Sequence, residues 1–498
     1  MMGKSFGHSR GRARALCLAL LLFASSAPWA AARQPTATPE PAATPQQQQQ
    51  PATPAALEVA KPAAAPTGVM ADAAALVTEF EVNGLKVLVK RRQGSQTVVA
   101  GLFLRGGAQN VTAETAGIEA LMLDASSEAT RNFPRARLRK ELASMGSSVS
   151  YGVNYDYSAL TLGTTRFNFD RSWEIFTDVA LRPSFAADDV ERVRNRLAVS
   201  LRNEGDTPDS HLQQLQARVA YAGHPYLNDP RGTAETIARF TPEDVRRYHA
   251  EVMKTSRLLL VLVGDLDPEM VRARVTASFG KLPRGDYRQQ PPPPLSFTAG
   301  TVEIAPRALP TNYVQGVFSA PPLTSPDIYP MRIAASILQN RVITEVRYKR
   351  QLSYAPDAFL SSQAANVGGL YVTSTDANQS VRIMLDEVTR LQRDPVSATD
   401  LQGTVQHFLT RYYTAQETNA AQAGELAQYE LIGGGWRNAF NFLDRLRAVT
   451  PADVQRVAKN YIRNIRFVVV GDPKSVDKTI FTPQAGASGD NQPRSGDN

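Results

Sequence analysis

The chain has 498 residues and one cysteine, Cys17. A lone thiol excludes an intramolecular disulfide and leaves cysteine-based metal sites without ligands. Histidine is nearly as scarce: His8, His211, His224, His249 and His407 are the whole set. No two of them pair at i, i+3 or i+4, and neither H-x-x-E-H nor H-E-x-x-H occurs. A helical zinc motif with two histidines one turn apart is therefore excluded. Beyond residue 32 no stretch of 18 consecutive apolar residues exists, so no membrane-spanning helix is predicted there. Charged residues make up 20% and the net charge is +8, four of it from Lys4, Arg10, Arg12 and Arg14, which leaves about +4 for the rest. With no cluster of Lys/Arg interleaved with aromatics, that charge calls for no nucleic-acid partner.

What is present starts with a leader. The four cations precede ALCLALLLFASSAPWA, and Ala30-Ala31-Ala32 offers a small-residue cleavage site. Residues 1–32 read as a secretory signal peptide, with an uncleaved membrane anchor as the alternative. Export to the periplasm, or out of the cell, is the expectation. Cleavage would remove Cys17 and leave no thiol. Residues 33–72, rich in Pro, Ala, Thr and Gln, cannot bury a core and read as a flexible spacer. Residues 286–296 include Pro291–Pro294 and read as a stiff interdomain linker. Residues 483–498 are Gly/Ser/Asp/Gln-rich and read as a disordered tail.

Between these breaks the chain repeats itself. FTPEDVRRYH leads to LLLVLVGD, and VTPADVQRVA leads to RFVVVGD. In each copy a Thr-Pro N-cap opens a helix and a buried strand then ends in Gly-Asp. Thr241 to Gly264 is 23 residues, Thr450 to Gly471 is 21, and the copies sit about 208 apart. That period is too long for a solenoid. The fold predicted is α+β: two homologous domains, 73–285 and 297–482, each a mostly antiparallel sheet packed with helices. FEVNGLKVLVKR predicts strand–turn–strand about Asn83-Gly84, and SVSYGVNYDYSALTLGTT predicts a half-buried strand pair. SWEIFTDVALRPSF and AADDVERVRNRLAVSLRN have helical spacing.

These landmarks, with TAGIEALM, HPYLNDPRGT and VRYKRQLSYA, follow in an order that resembles the pitrilysin-like (insulinase-like) zinc metallopeptidases, the inverzincins, and most of all their processing-peptidase-like branch. The resemblance covers nearly all of 75–480. It implies a helix bearing H-x-x-E-H, with a third ligand, a Glu, about 75 residues later. Aligned on Gly117-Ile118, the first His position falls on Ala120, the Glu base on Leu123, the second His on Asp124 and the later Glu on Ser200. Ile118, Leu121, Met122 and Ala125 form a core stripe, so Ala120, Leu123 and Asp124 are expected on a separate, emptied metal face. Ser200, after Val193 and Leu197, is expected on the inward stripe of its own helix. The acids Glu204, Asp206 and Asp209 read as a solvated helix end.

Arg347 and Tyr354 match the Arg/Tyr pair of the family's second domain, and the resemblance implies that they bind substrate at a zinc site. Arg can fork two donors onto a peptide carbonyl, and a Tyr hydroxyl can stabilise an oxyanion. The function implied is a non-catalytic, substrate-binding subunit of an exported heterodimeric metallopeptidase. No cofactor is expected on this chain; a homologous partner subunit would carry the zinc. The alternative is a zinc-free structural or peptide-binding scaffold of the same fold.

Overall fold

The computed structural model describes residues 73–482. The expected signal peptide with Cys17, the spacer and the tail all lie outside the described residues. Strands β1 (Val77–Val82), β2 (Leu85–Arg91), β3 (Thr97–Arg105), β4 (Ser148–Val153), β5 (Tyr157–Thr165) and β6 (Leu258–Gly264) form one sheet in the order β1-β2-β6-β3-β5-β4. Strands β7 (Thr301–Pro306), β8 (Asn312–Ser319), β9 (Asp357–Leu360), β10 (Val367–Ser374) and β11 (Arg466–Gly471) form a second, in the order β7-β11-β8-β10-β9. Each has one parallel contact, β2 with β6 and β7 with β11, and is otherwise antiparallel. The second sheet thus repeats β2-β6-β3-β5-β4, and the first adds only the edge strand β1. This is the expected α+β architecture of two mostly antiparallel sheets packed with helices.

Local chemistry explains the elements. Asn83 and Gly84 both have positive φ, 49° and 83°, as a two-residue hairpin between β1 and β2 requires. Thr241 and Thr450 each close a capping box with the Asp three residues on, starting the helices Pro242–Val252 and Pro451–Tyr461. Strand β6 is buried at every residue, so an unbroken apolar run suits it better than alternation.

The second face of each sheet explains that burial. Helix Asn419–Ile432, in the second half of the chain, lies on β3 and β6 of the first sheet. Helix Pro208–Ala220, in the first half, lies on β8 and β11 of the second. Each sheet is therefore covered on one face by helices of its own half and on the other by a helix of the opposite half. Leu88, Phe103, Leu259 and Val261 accordingly share one core with Leu426 and Ala427. The polar ties repeat as well. Arg92, following β2, takes Gly264 O with its N–H at 2.8 Å and donates from its guanidinium to Glu417 O at 3.0 Å. Arg307, following β7, takes Gly471 O at 2.9 Å and donates to Asp206 O at 2.5 Å.

A further buried tie crosses the seam. Asp156 accepts from the Tyr226 hydroxyl and, at 3.2 Å, from Ala364 N–H, while Ala365 N–H donates to Tyr226 Oη at 3.2 Å. His224 Nδ1 accepts from Tyr226 N–H at 3.1 Å, which leaves Nε2 to donate to Pro293 O at 2.9 Å. HPYLNDPRGT thereby joins both halves and the segment between them.

Candidate functional site

Helix Ile118–Ser126 carries the degenerate metal positions. Its N-cap Gly117 sits at φ 92°, and a Cβ there would lie 2.8 Å from Arg231 O and 2.9 Å from Gly232 Cα. Two landmarks distant in sequence thus meet at a close backbone approach that only glycine permits. All nine helix residues are buried. The positions expected to form an emptied metal face are covered: Leu123 belongs to the core, and Ala120 and Asp124 are buried.

Asp124 is covered by polar groups. Its carboxylate accepts from Arg196 Nη2 at 2.7 Å and from the Tyr151 hydroxyl at 3.0 Å. Tyr151 is pushed well above the ordinary tyrosine range by burial and by the Asp124 charge. The Arg196 guanidinium also reaches Glu128 at 3.5 Å. Where a metal cation would satisfy this carboxylate, a side-chain cation does so. On the same helix turn Glu119, buried, pairs with Arg257 at 2.8 Å and accepts from Tyr248 Oη at 2.8 Å.

Arg196 lies on helix Ala187–Glu204, one turn before Ser200. That helix runs antiparallel to Ile118–Ser126: Arg196 ties to Asp124, and Arg231, against Gly117, ties to Glu204 at 2.9 Å. Ser200 is exposed, contrary to the inward stripe expected for it. The stripe runs Val190, Val193, Leu197, Leu201, so Leu201 takes the place expected for Ser200. Ala120, Leu123, Asp124 and Ser200 do not fit a zinc ion, since they offer one carboxylate and it is already engaged. Among the described residues no group of three His, Cys, Asp or Glu is placed to hold a metal. The neighbouring acids are not simply solvated either: Glu204 pairs with Arg231, and Asp209 accepts from the Tyr371 hydroxyl at 2.6 Å.

The Arg347/Tyr354 pair occupies a different setting. Helix Ile328–Val342 continues into a π-helical turn, Ile343–Lys349, a geometry concentrated at functional sites. Gln351, at φ 55°, then reverses the chain in the left-handed region. This wide turn and reversal lay Tyr354 against Arg347, whose Cζ stands 4.1 Å from the ring centroid. Tyr354 is 70% exposed. Nearby Lys349 and Arg350 both bind Glu345, at 2.7 and 2.5 Å. The Arg347 guanidinium and Tyr354 hydroxyl make no hydrogen bond or ion pair among the described residues.

The sequence-matched residues thus form two separate groups. Ile118–Ser126 packs against helices of the first half and β4, and Ile343–Lys349 packs against helices Ile328–Val342 and Ala377–Arg393 of the second. Sequence reasoning missed Arg196, which sits in the charge-dense ERVRNRL and reads as one cation of a solvated face. It also missed Tyr348, 65% exposed, whose ring centroid is 5.4 Å from Arg347 Cζ.

Comparison with known proteins places these features in a family. Residues 86–232 match the family described as insulinase (peptidase family M16), and residues 239–408 match the peptidase M16 inactive domain. The second match begins in the first half of the chain, before β6, which completes the first sheet. Mitochondrial-processing peptidase subunit beta of Blastocladiella emersonii is 22% identical over 415 residues, 78% of this chain and 87% of that one. Human cytochrome b-c1 complex subunit 1 is 23% identical over 285 residues, 56% of this chain, which spans 59% of that subunit. The crystal structure of a protease from Helicobacter pylori has the same fold, with a TM-score of 0.72 at 17% identity over 79% of this chain and 99% of that one.

Proposed function

Because the chain belongs to the insulinase (M16) peptidase family, we propose that it is a non-catalytic, substrate-binding subunit of a heterodimeric zinc metallopeptidase. One observation carries the reading: Arg347 and Tyr354 stack at the surface with their polar groups uncommitted, while the metal positions of the same chain are closed by Arg196. A guanidinium stacked on an exposed ring keeps its in-plane donors for a carbonyl or carboxylate. Among the described residues no metal site lies on this chain for the pair to serve, so in this reading a homologous subunit supplies the zinc and the general base. Arg347 orients the peptide through a carbonyl. The Tyr354 hydroxyl would donate to the oxyanion that develops on that carbonyl, and the partner's zinc would supply the activated nucleophile. The basic, apolar leader at 1–32 supports export of the pair, to the periplasm or out of the cell.

A scaffold reading is favoured by a different observation, the likeness to cytochrome b-c1 complex subunit 1. The reconstituted pair separates the two. This chain is combined with the H-x-x-E-H homologue from the same source and assayed on a quenched-fluorescence peptide. Activity rises on mixing. Tyr354→Phe lowers kcat by about 100-fold, the usual loss for one oxyanion donor. Arg347→Ala raises KM and lowers kcat, with circular dichroism unchanged. Wild-type turnover by both variants would place the pair outside the active site and favour the scaffold.

A further inference from the structure

The surface around Arg347 extends beyond the matched pair. Tyr348 and Tyr354 are 65% and 70% exposed, and Arg347 Cζ lies 5.4 and 4.1 Å from their ring centroids. One exposed aromatic is ordinary, but two with a guanidinium within cation–π range of both form a contiguous surface. The rings hold the guanidinium and leave its in-plane donors for a carbonyl or carboxylate. Exposed ring surface remains for a second group. Within the segment 343–350 the charge is also one-sided: Arg347, Lys349 and Arg350 stand against the single carboxylate of Glu345.

We infer that Tyr348 is a third binding residue of this surface, which takes an extended peptide carrying a bulky apolar or aromatic side chain flanked by acidic rather than basic residues. The inference rests on the substrate-binding reading above and names its substrate class. A peptide whose carbonyl meets Arg347 brings a neighbouring side chain to the Tyr348 ring, where a planar apolar group gains most. The excess of two positive charges favours an acidic neighbour and disfavours Lys or Arg there, an effect that salt weakens.

Fluorescence anisotropy on the purified full chain tests this without a partner. The probes are labelled octapeptides of one Ala-rich host, carrying Phe or Ala at a central position and Asp or Lys beside it. The Phe/Asp peptide should bind roughly 3- to 10-fold tighter than its Ala/Asp counterpart, the range expected of one aromatic pair. It should also bind more tightly than Phe/Lys at low salt. Tyr348→Ala should erase the Phe preference, and Tyr348→Phe should keep it because the ring face acts, not the hydroxyl. A Phe preference that survives Tyr348→Ala overturns the inference and leaves the substrate-binding reading standing, provided Arg347→Ala still weakens every peptide. Arg347→Ala without effect on any peptide sinks that reading, and this inference with it.

Discussion

At the scale of single residues, Arg196 sets the chemistry of the first half. Its guanidinium reaches Asp124 at 2.7 Å and Glu128 at 3.5 Å, the latter carboxylate also held by Arg135 and Arg139 at 3.0 and 3.1 Å. Removing Arg196 leaves a buried carboxylate with Tyr151 as its remaining partner beside a second acid. Arg196→Ala should cost about 1–2 kcal/mol, below the figure for fully buried pairs because the Arg side chain is half exposed. Adding Asp124→Asn to that variant should recover much of the loss. Urea titration of the three proteins measures both. With Asp124 held by Arg196 and Tyr151, EDTA is expected to leave the melting midpoint where it was. A drop on chelation would show a metal where Arg196 is placed.

At the scale of elements, the sequence was most readable where one helix or strand decides its own form. The Asn83-Gly84 hairpin, the two Thr-Pro caps and the β4/β5 pair follow from local chemistry, and all are present. Three features were illegible for physical reasons. The π-helical turn Ile343–Lys349 keeps an ordinary helical composition, so its wider winding comes from tertiary packing. Ser200 and Leu201 compete for one stripe, and a drift of one residue decides which side chain is inward. Helices Pro208–Ala220 and Asn419–Ile432 each cover the far sheet, and periodicity shows that a face is apolar without showing what it meets. Asn419–Ile432 pays for that placement with Glu425, whose carboxyl burial drives up to about 7 against the hydrogen bond from Gln416 and the charge of Lys90. A raised carboxyl destabilises the fold only when ionised: the penalty is absent below the ordinary Glu value, grows through the interval up to 7, and is complete above it. Glu425→Gln should therefore stabilise the protein by up to about 3 kcal/mol at pH 8 and by almost nothing at pH 4.5, as read from denaturant midpoints at the two values.

At the scale of the whole molecule, the exchange of helices makes the two halves interdependent. Alone, the first half would expose the β3/β6 face that Asn419–Ile432 covers, and the second would expose the β8/β11 face that Pro208–Ala220 covers. Large apolar faces of that kind do not stay solvated. A fragment ending at 290 and a fragment beginning at 291 should each be insoluble or molten when expressed singly. Expressed together they should co-purify as a native-like pair, because every tie across the seam is non-covalent apart from the linker. Two soluble, cooperatively folding fragments would show that the halves are autonomous.

The matched ties of Arg92 and Arg307 show an internal symmetry. Each arginine holds a carbonyl beyond the end of a helix in the opposite half, and each bonds the last glycine of the strand beside its own. Patch i of one half meets patch j of the other, and patch j of the first meets patch i of the second. That is the rule of an isologous dimer. Within one chain the two halves meet as the subunits of such a dimer would, with 286–296 running between them. The shared interface, and not either site, holds the two halves together.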